Sequence, residues 1–322
     1  MINKRKFELL CRMTQMELKG SLSKDLKAMG YKVVIDDGYL FAQGTVPILL
    51  VAHMDTVHRE PVQLITYSDD GNIISSPQGI GGDDRCGIYM ILEIIKKYHC
   101  SVLFAEDEEM GCIGAGKFVR NENIDDLEFN YMIELDRKGS KDAVFYECDN
   151  PEFEQFVVKN GDWETAPGIF TDICTLAPAI GCAAVNFSCG YYNAHTLKEY
   201  VVLSEMEANI NKVCELIERT TEDDKFEFIQ AKSKWSNYYW NSNFNTGFDD
   251  YADEDYYKND LYGDEPMGLY GIMYINEQGM DEWEEVYARS TLEAAGVFLS
   301  EHPNMTFAEI DIEFYGTDDY YM

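Results

Sequence analysis

The sequence predicts an α/β domain, a three-layer sandwich whose largely parallel central sheet is flanked by helices, followed by an acidic C-terminal extension. Three observations predict it. Short, continuous apolar runs alternate with segments of helical spacing up to about residue 222, and such runs are strands buried on both faces, as parallel sheets require. Several of the runs end abruptly in acids or a histidine. After Thr221 the composition turns to Trp, Tyr, Phe, Asn and Asp without a period.

In chain order, Lys32–Ile35 and Leu40–Ala42 read as strands, and Pro47–Ala52 is a buried one. Asp84–Tyr98 reads as a helix, with Ile88, Ile91, Leu92 and Ile95 at helical spacing. Ser101–Ala105, Tyr131–Leu135 and Ala183–Ser188 are further buried strands, and Ile173–Ala177 is a helical run. Ser204 and Glu207 have the spacing of a capping box, opening a helix that reaches about Arg219. Trp235–Tyr262 reads as a linker or extended arm. From Pro266 to Met322 a small α+β module is expected, with a strand near Leu269–Ile275, a helix near Asp281–Ser300 and a strand near Glu309–Phe314. The expected divisions are therefore 1–222, 223–265 and 266–322.

Composition narrows the function. The chain has 322 residues, 46% hydrophobic and 26% charged, enough to bury a sizeable core. Its formal net charge is −33, and from Asp223 onward 23 acids face 5 bases. That field repels nucleic acid and anionic lipid, so neither is an expected partner. Glu8, Arg12, Glu17 and Lys19 break up the N-terminal stretch, unlike a secretory leader. No stretch approaches the roughly 18 apolar residues of a membrane span. The nine cysteines form no C-x-x-C pair, which fits a reducing cytoplasm and offers no thiolate metal site.

The chemistry begins with His53 in L-L-V-A-H-M-D-T-V, where an apolar strand ends in polar residues. The carboxyl end of such a strand is where α/β sheets bind ligands. Asp55, two residues on, points to the same side and can accept the second imidazole N–H. In G-I-G-G-D-D-R-C-G, from Gly79 to Gly87, an aspartate caps a helix or, read as Asp83, bridges two ions. The acids of F-A-E-D-E-E-M-G, Phe104–Gly111, are either solvated or face cations; in the second case one glutamate binds metal and its neighbour deprotonates a water. Asp136 follows the strand Tyr131–Leu135, and His195 lies beyond Ala183–Ser188 in Y-Y-N-A-H-T-L-K-E. Each piece alone is ordinary. Together they supply two histidines and three carboxylates, suited to paired zinc, cobalt or manganese ions.

These segments resemble the co-catalytic metallopeptidases of the M20, M28 and M42 families over about residues 1–220. A-H-M-D-T-V is similar to M20, D-E-E-M-G to the acidic pair of M20 and M28, G-G-D-D-R-C-G to M42, and N-A-H-T-L-K-E to the last histidine segment of M20. The order His, Asp, Glu-Glu, Asp, His is shared. The resemblance implies two divalent ions, zinc before cobalt or manganese, one on His53 and Asp136, the other on Glu109 and His195, with Asp83 bridging. It implies Glu108 as general base toward a metal-bridged water, Asp55 as the partner of His53, and a cis peptide bond between Asp83 and Asp84. The implied activity is hydrolysis of peptide or amide bonds, of the aminopeptidase type, on short peptides. The alternatives are an amidohydrolase acting on N-acyl amino acids and a metal-binding scaffold without catalysis. The stretches from His53 to Asp83 and from Asp136 to His195 are too short for the domains that M42 and M20 enzymes insert there. The resemblance is therefore to a lidless catalytic core, nearer M28 in layout.

Further residues carry two readings each. Asp172, with Thr171, caps a helix or contacts substrate. Tyr191 and Tyr192 pack beside His195 or line a specificity pocket. Arg85 pairs with a carboxylate of the protein or, less simply, of a substrate. His58 and His99 are expected at the surface or in packing, and Cys86 and Cys112 in buried packing. The C-terminal region is a candidate cover for the site, a surface for homo-oligomer assembly, or a docking segment for a protein partner.

Overall fold

The computed structural model describes residues 2–58, 61–168, 170–231, 268–275, 281–288 and 310–317, together with 294, 298 and 302. The chain forms two compact units, Met1–Lys234 and Trp235–Met322.

The first unit opens with α1 (Lys4–Arg12) and α2 (Gln15–Ala28). Thr14 and Glu17 exchange side-chain and backbone hydrogen bonds in a capping box at the start of α2. Leu18, Leu22 and Leu26, four residues apart, turn one face of that helix into the core. Next in the chain come β1 (Lys32–Asp36), β2 (Tyr39–Gln43), β3 (Val46–His53), β4 (Thr66–Tyr67), β5 (Ile73–Ser75), α3 (Gly82–Ile94), β6 (Cys100–Ala105), α4 (Ile113–Asn121), β7 (Tyr131–Arg137) and β8 (Asp142–Val144). The unit continues through α5 (Pro151–Gly161), β9 (Glu164–Thr165), α6 (Asp172–Ile180), β10 (Ala184–Ser188), β11 (Tyr191–Tyr192), β12 (Tyr200–Val202) and α7 (Leu203–Arg219).

Eight strands form the central sheet in the order β1-β2-β6-β3-β7-β10-β8-β9. The middle four are parallel, and antiparallel pairs flank them. Every residue of β6 and the last six of β3 are buried, each large aliphatic side chain contributing about 1.5–3 kcal/mol. One helical group, α3 with α1 and α7 against it, packs on β3 and β7; another, α6 with α4, packs on β3, β7 and β10. The three-layer α/β class is thus as the apolar runs predict. Strand register then places the polar residues. His53 lies opposite Ala105, Val51 opposite Glu134, and Ser188 opposite Arg137, so four parallel strands end along one edge. A second sheet, β11-β12-β5-β4, borders α3 through β11 and β12.

Some expectations need correction. Asp136 lies within β7, one residue before its end, and does not follow the strand. The capping box expected at Ser204 and Glu207 is absent: α7 starts at Leu203, with no side-chain cap. Ser204 N–H donates instead to Asn72 Oδ1 at 3.0 Å, and Asn72 Nδ2 donates to the Ser204 hydroxyl at 3.0 Å. No helix of the described residues is long and apolar enough to cross a membrane.

In the second unit, β13 (Gly268–Ile275), β14 (Asp281–Ala288) and β15 (Ile310–Thr317) form an antiparallel sheet in the order β14-β13-β15. The helix expected near Asp281–Ser300 is therefore a strand over 281–288. Val286 is buried between exposed Glu285 and Tyr287, a period of two and not of 3.6. Ala294 and Phe298 are helical and buried. The arm expected at Trp235–Tyr262 lies outside the described residues.

Candidate metal centre

The edge where β3, β6, β7 and β10 end gathers the residues singled out from the sequence. His53 is the last residue of β3 and is 1% exposed. Its Nδ1 lies 3.2 Å from Asp55 Oδ1. A carboxylate only accepts, so Nδ1 carries the proton and Nε2 faces the cluster. Asp55 also accepts the amides of Glu108 at 3.1 Å and Glu109 at 3.0 Å. One carboxylate thereby fixes both the first histidine and the acidic loop after β6.

Asp83 stands between the two histidines. Its Oδ1 is 3.0 Å from His53 Nε2, and its Oδ2 is 3.3 Å from His195 Nε2. Asp136 Oδ1 lies 3.6 Å from His53 Nε2, and Glu109 Oε2 lies 3.1 Å from His195 Nε2. Two three-residue sets able to hold a metal thus share one carboxylate: His53, Asp83 and Asp136 on one side, Asp83, Glu109 and His195 on the other. Glu108 joins His53 and Glu109 in a third such grouping. Asp136 is held by Tyr191 Oη and Thr171 Oγ1, each donating at 3.2 Å, and its amide donates to Asn186 Oδ1 at 2.9 Å.

The electrostatics are those of too much negative charge in too little water. Burial and the neighbouring Asp83 carboxylate push Asp136 up to about 7. Burial and nearby acids raise Glu108 and Glu134 well above the carboxylate range. Burial works to lower His195, but hydrogen bonds and charge from Asp83 and Glu109 prevail and raise it to about 11. His53 is likewise raised against its burial, by Asp136 and Asp55. Asp83, though buried, is held far below the usual range by the two imidazoles. Protonated histidines here do what bound cations would do.

The peptide bond between Asp83 and Asp84 is cis. Neither residue has helical torsions, so the regular helix begins after Asp84, whose side chain caps it. Asp84 accepts the amides of Gly87 at 2.8 Å and His53 at 3.3 Å. His195 occupies the left-handed region at φ 64°, with a side chain 52% exposed while those of Asp83, Glu109 and Asp136 are 9–12% exposed.

Other expectations resolve differently. Arg85 is buried and pairs with no carboxylate among the described residues. Its guanidinium donates to the carbonyls of Leu10, Met13, Met54 and Asp55 at 2.6–3.4 Å. Asp172 caps nothing: it is fully buried, and neither oxygen has a hydrogen-bond partner. Tyr191 is buried on Asp136. Tyr192 donates to Glu205 at 2.6 Å and stacks on Tyr200, contacts that fit packing. His99 stacks on Tyr31, as packing predicts. Cys86 and Cys112 are both buried, as expected, and Cys112 also donates its thiol to Glu108 Oε1 at 3.6 Å.

His58 is not a surface residue: its Nε2 is 2.8 Å from Glu199 Oε2, and Glu199 is fully buried. Sequence reasoning passes over Glu199, although it ends the very segment that holds His195.

The fold and this cluster define an α/β domain that converges acids and histidines on the carboxyl edge of its sheet. Solved structures share the fold. Aminopeptidase PepT from Bacillus cereus superposes with a TM-score of 0.55 at 15% identity, covering 66% of this chain and 96% of its own. A tripeptidase from Staphylococcus aureus gives 0.54 at 16% identity, covering 66% and 95%. An aminopeptidase from the archaeon Desulfurococcus kamchatkensis gives 0.52 at 15%, covering 68% and 95%. No family model and no curated protein matches the chain.

Proposed function

We propose that this chain is a two-metal hydrolase of peptide or amide bonds, most simply an aminopeptidase-type exopeptidase acting on short peptides. One observation carries the reading: the two oxygens of Asp83 each face a different histidine, at 3.0 and 3.3 Å, and each histidine has its own second carboxylate. The donor set fits divalent ions. It is all carboxylate and imidazole, suited to zinc, cobalt or manganese, and Glu109 Oε1 is buried without a partner. His53 and Asp136 would hold one ion, Glu109 and His195 the other, and Asp83 both. Such ions, when bound, polarise a scissile carbonyl and lower the pKa of water toward neutrality.

The chain's own residues supply the rest. Glu108, with its proton affinity raised by burial, takes the proton of the attacking water and delivers it to the leaving amine. Asp55 keeps His53 in the required tautomer and holds Glu108 and Glu109 by their amides. The solved aminopeptidases and tripeptidase of the same fold support a peptide substrate with a free amino end. Residues 1–234 form the catalytic domain in this reading, longer than the 1–222 expected, since 223–231 bond back onto it through Phe226, Phe228 and Ala231; the arm then begins after Lys234, and 266–322 remains a small module. The nine free cysteines suit a cytoplasmic setting.

Metal analysis of the purified full chain tests the reading. Close to two equivalents are expected, largely lost in Asp83→Ala. Glu108→Gln should keep its metal and lose turnover by several orders of magnitude. Stoichiometric absence of metal after reconstitution with zinc, cobalt or manganese would overturn it. Turnover of an N-acetylated aminoacyl amide but not the unblocked one would replace the aminopeptidase by a deacylase.

A further inference from the structure

The turn that presents Asp83 is held by a side chain from far along the chain. A helix start leaves amides without intrahelical partners; Asp84 takes that of Gly87, but those of Gly81 and Asp83, ahead of it, need a partner from elsewhere. Glu199 fills that need. Its Oε1 accepts the Asp83 amide at 2.9 Å, and its Oε2 accepts the Gly81 amide at 2.8 Å together with His58 Nε2 at 2.8 Å. Three donors thus converge on one carboxylate with no exposure to solvent, a charge-assisted set with little freedom to shift.

The glycines on either side show how closely the parts are fitted. A Cβ on Gly82 would come within 2.8 Å of Tyr191 Cβ and Val201 Cγ2, and 3.2 Å of Glu199 Oε1. A Cβ on Gly79 would overlap the His58 ring at 2.2 Å. The segment Gly79–Asp83 is therefore laid directly on the His58–Glu199 pair, without room for a side chain between them.

Glu199 also belongs to the loop between β11 and β12 that carries His195, and its amide donates to Thr196 at 3.1 Å. The same short loop therefore supplies one histidine of the cluster and the anchor of the shared carboxylate. The geometry points to Glu199, braced by His58, as the positioning residue that sets Asp83 against His195. This rests on the proposed two-metal reading for its consequence, though not for its geometry. Misplacing Asp83 alters both ion sites, and loosening the loop alters chiefly the one that includes Glu109 and His195.

The test uses the full chain with cobalt(II) as probe. In Glu199→Gln the amide NH₂ must face a backbone or imidazole donor. The weaker of two cobalt equivalents should bind about 10–100-fold less tightly, with an altered visible absorption spectrum. His58→Gln, which keeps a donor toward Glu199, should lie closer to wild type than His58→Ala. In metal-free protein, hydrogen exchange over 79–85 should quicken at least tenfold in Glu199→Gln while β3 and β7 stay protected. Unchanged affinities and spectrum in Glu199→Gln, or unchanged exchange over 79–85, would overturn the assignment. A wild-type chain that binds no cobalt would sink the two-metal reading instead, and exchange in the metal-free protein would still decide the role of Glu199.

Discussion

Replacing Asp55 by alanine probes the joint on which the proposed centre turns. Asp55 accepts three hydrogen bonds, from His53 Nδ1 at 3.2 Å and from the amides of Glu108 and Glu109 at 3.1 and 3.0 Å. A buried donor left without a partner costs about 1–3 kcal/mol. The Asp55 side chain is 13% exposed, so water reaches the vacated space and the lower end applies, about 3 kcal/mol for three donors. Part of that loss falls on the metal-free fold. The remainder, as a freely turning His53 and a loosened Glu109, should weaken zinc binding by about 10–100-fold. The assay is competition for zinc against a chromophoric chelator, with thermal melts of the metal-free protein beside it. Wild-type zinc affinity in Asp55→Ala would refute the argument that this carboxylate organises the site.

Two other perturbations concern buried groups that are not themselves proposed ligands. Burial, foremost, raises Asp172 to about 7 from an ordinary 3.8, so its neutral form is favoured in the folded state; that stabilisation is complete below about pH 4 and lost as pH rises through 7, at most about 4 kcal/mol. Metal-free protein should therefore melt lower at pH 8 than at pH 5, and Asp172→Asn should flatten the slope; an undiminished fall in that variant would remove Asp172 as its source. Arg85→Met abandons four carbonyl acceptors from α1, the turn before α2 and the segment after β3. A loss of about 3 kcal/mol is expected, lowering the melting temperature by roughly 6–12 °C, and a melt within a degree or two of wild type would contradict it.

Much of the fold and the site is legible in the sequence because burial and chemistry coincide in the strands. β3, β6, β7 and β10 are mostly apolar since both faces are covered. The polar residues His53, Glu134, Asp136, Asn186 and Ser188 lie from mid-strand to the carboxyl ends, where the polar clusters begin. Five acid or histidine clusters are thus readable as one site. What escapes reading lacks a local pattern. His58 and Glu199 are 141 residues apart, and neither stands out beside its sequence neighbours. Arg85 sits among acids in the sequence yet finds carbonyls, because the chain segments that surround it fold back from elsewhere. Ser204 has the spacing of a capping box, but Asn72 takes both its amide and its hydroxyl. The helix α2 is marked by Thr14, Glu17 and the leucines after them, a pattern easily lost among the charges beside it. In 281–288 Trp283, Glu285 and Tyr287 stand on one exposed face while Val286 turns inward, an alternation that a helix-forming composition conceals.

The uneven exposure of the cluster has a kinetic meaning. His53 is walled in by the sheet, Asp55 and Asp84, whereas His195 sits on a loop with half its side chain in solvent. A centre built this way is closed on the side of β3 and open to solvent on the side of His195. Ions would enter and leave past His195, and the half formed by Glu109 and His195 would empty first. Under a chelator the chain should pass through a state that retains one ion at the base of β3, so preparations handled differently would differ in occupancy without differing in fold.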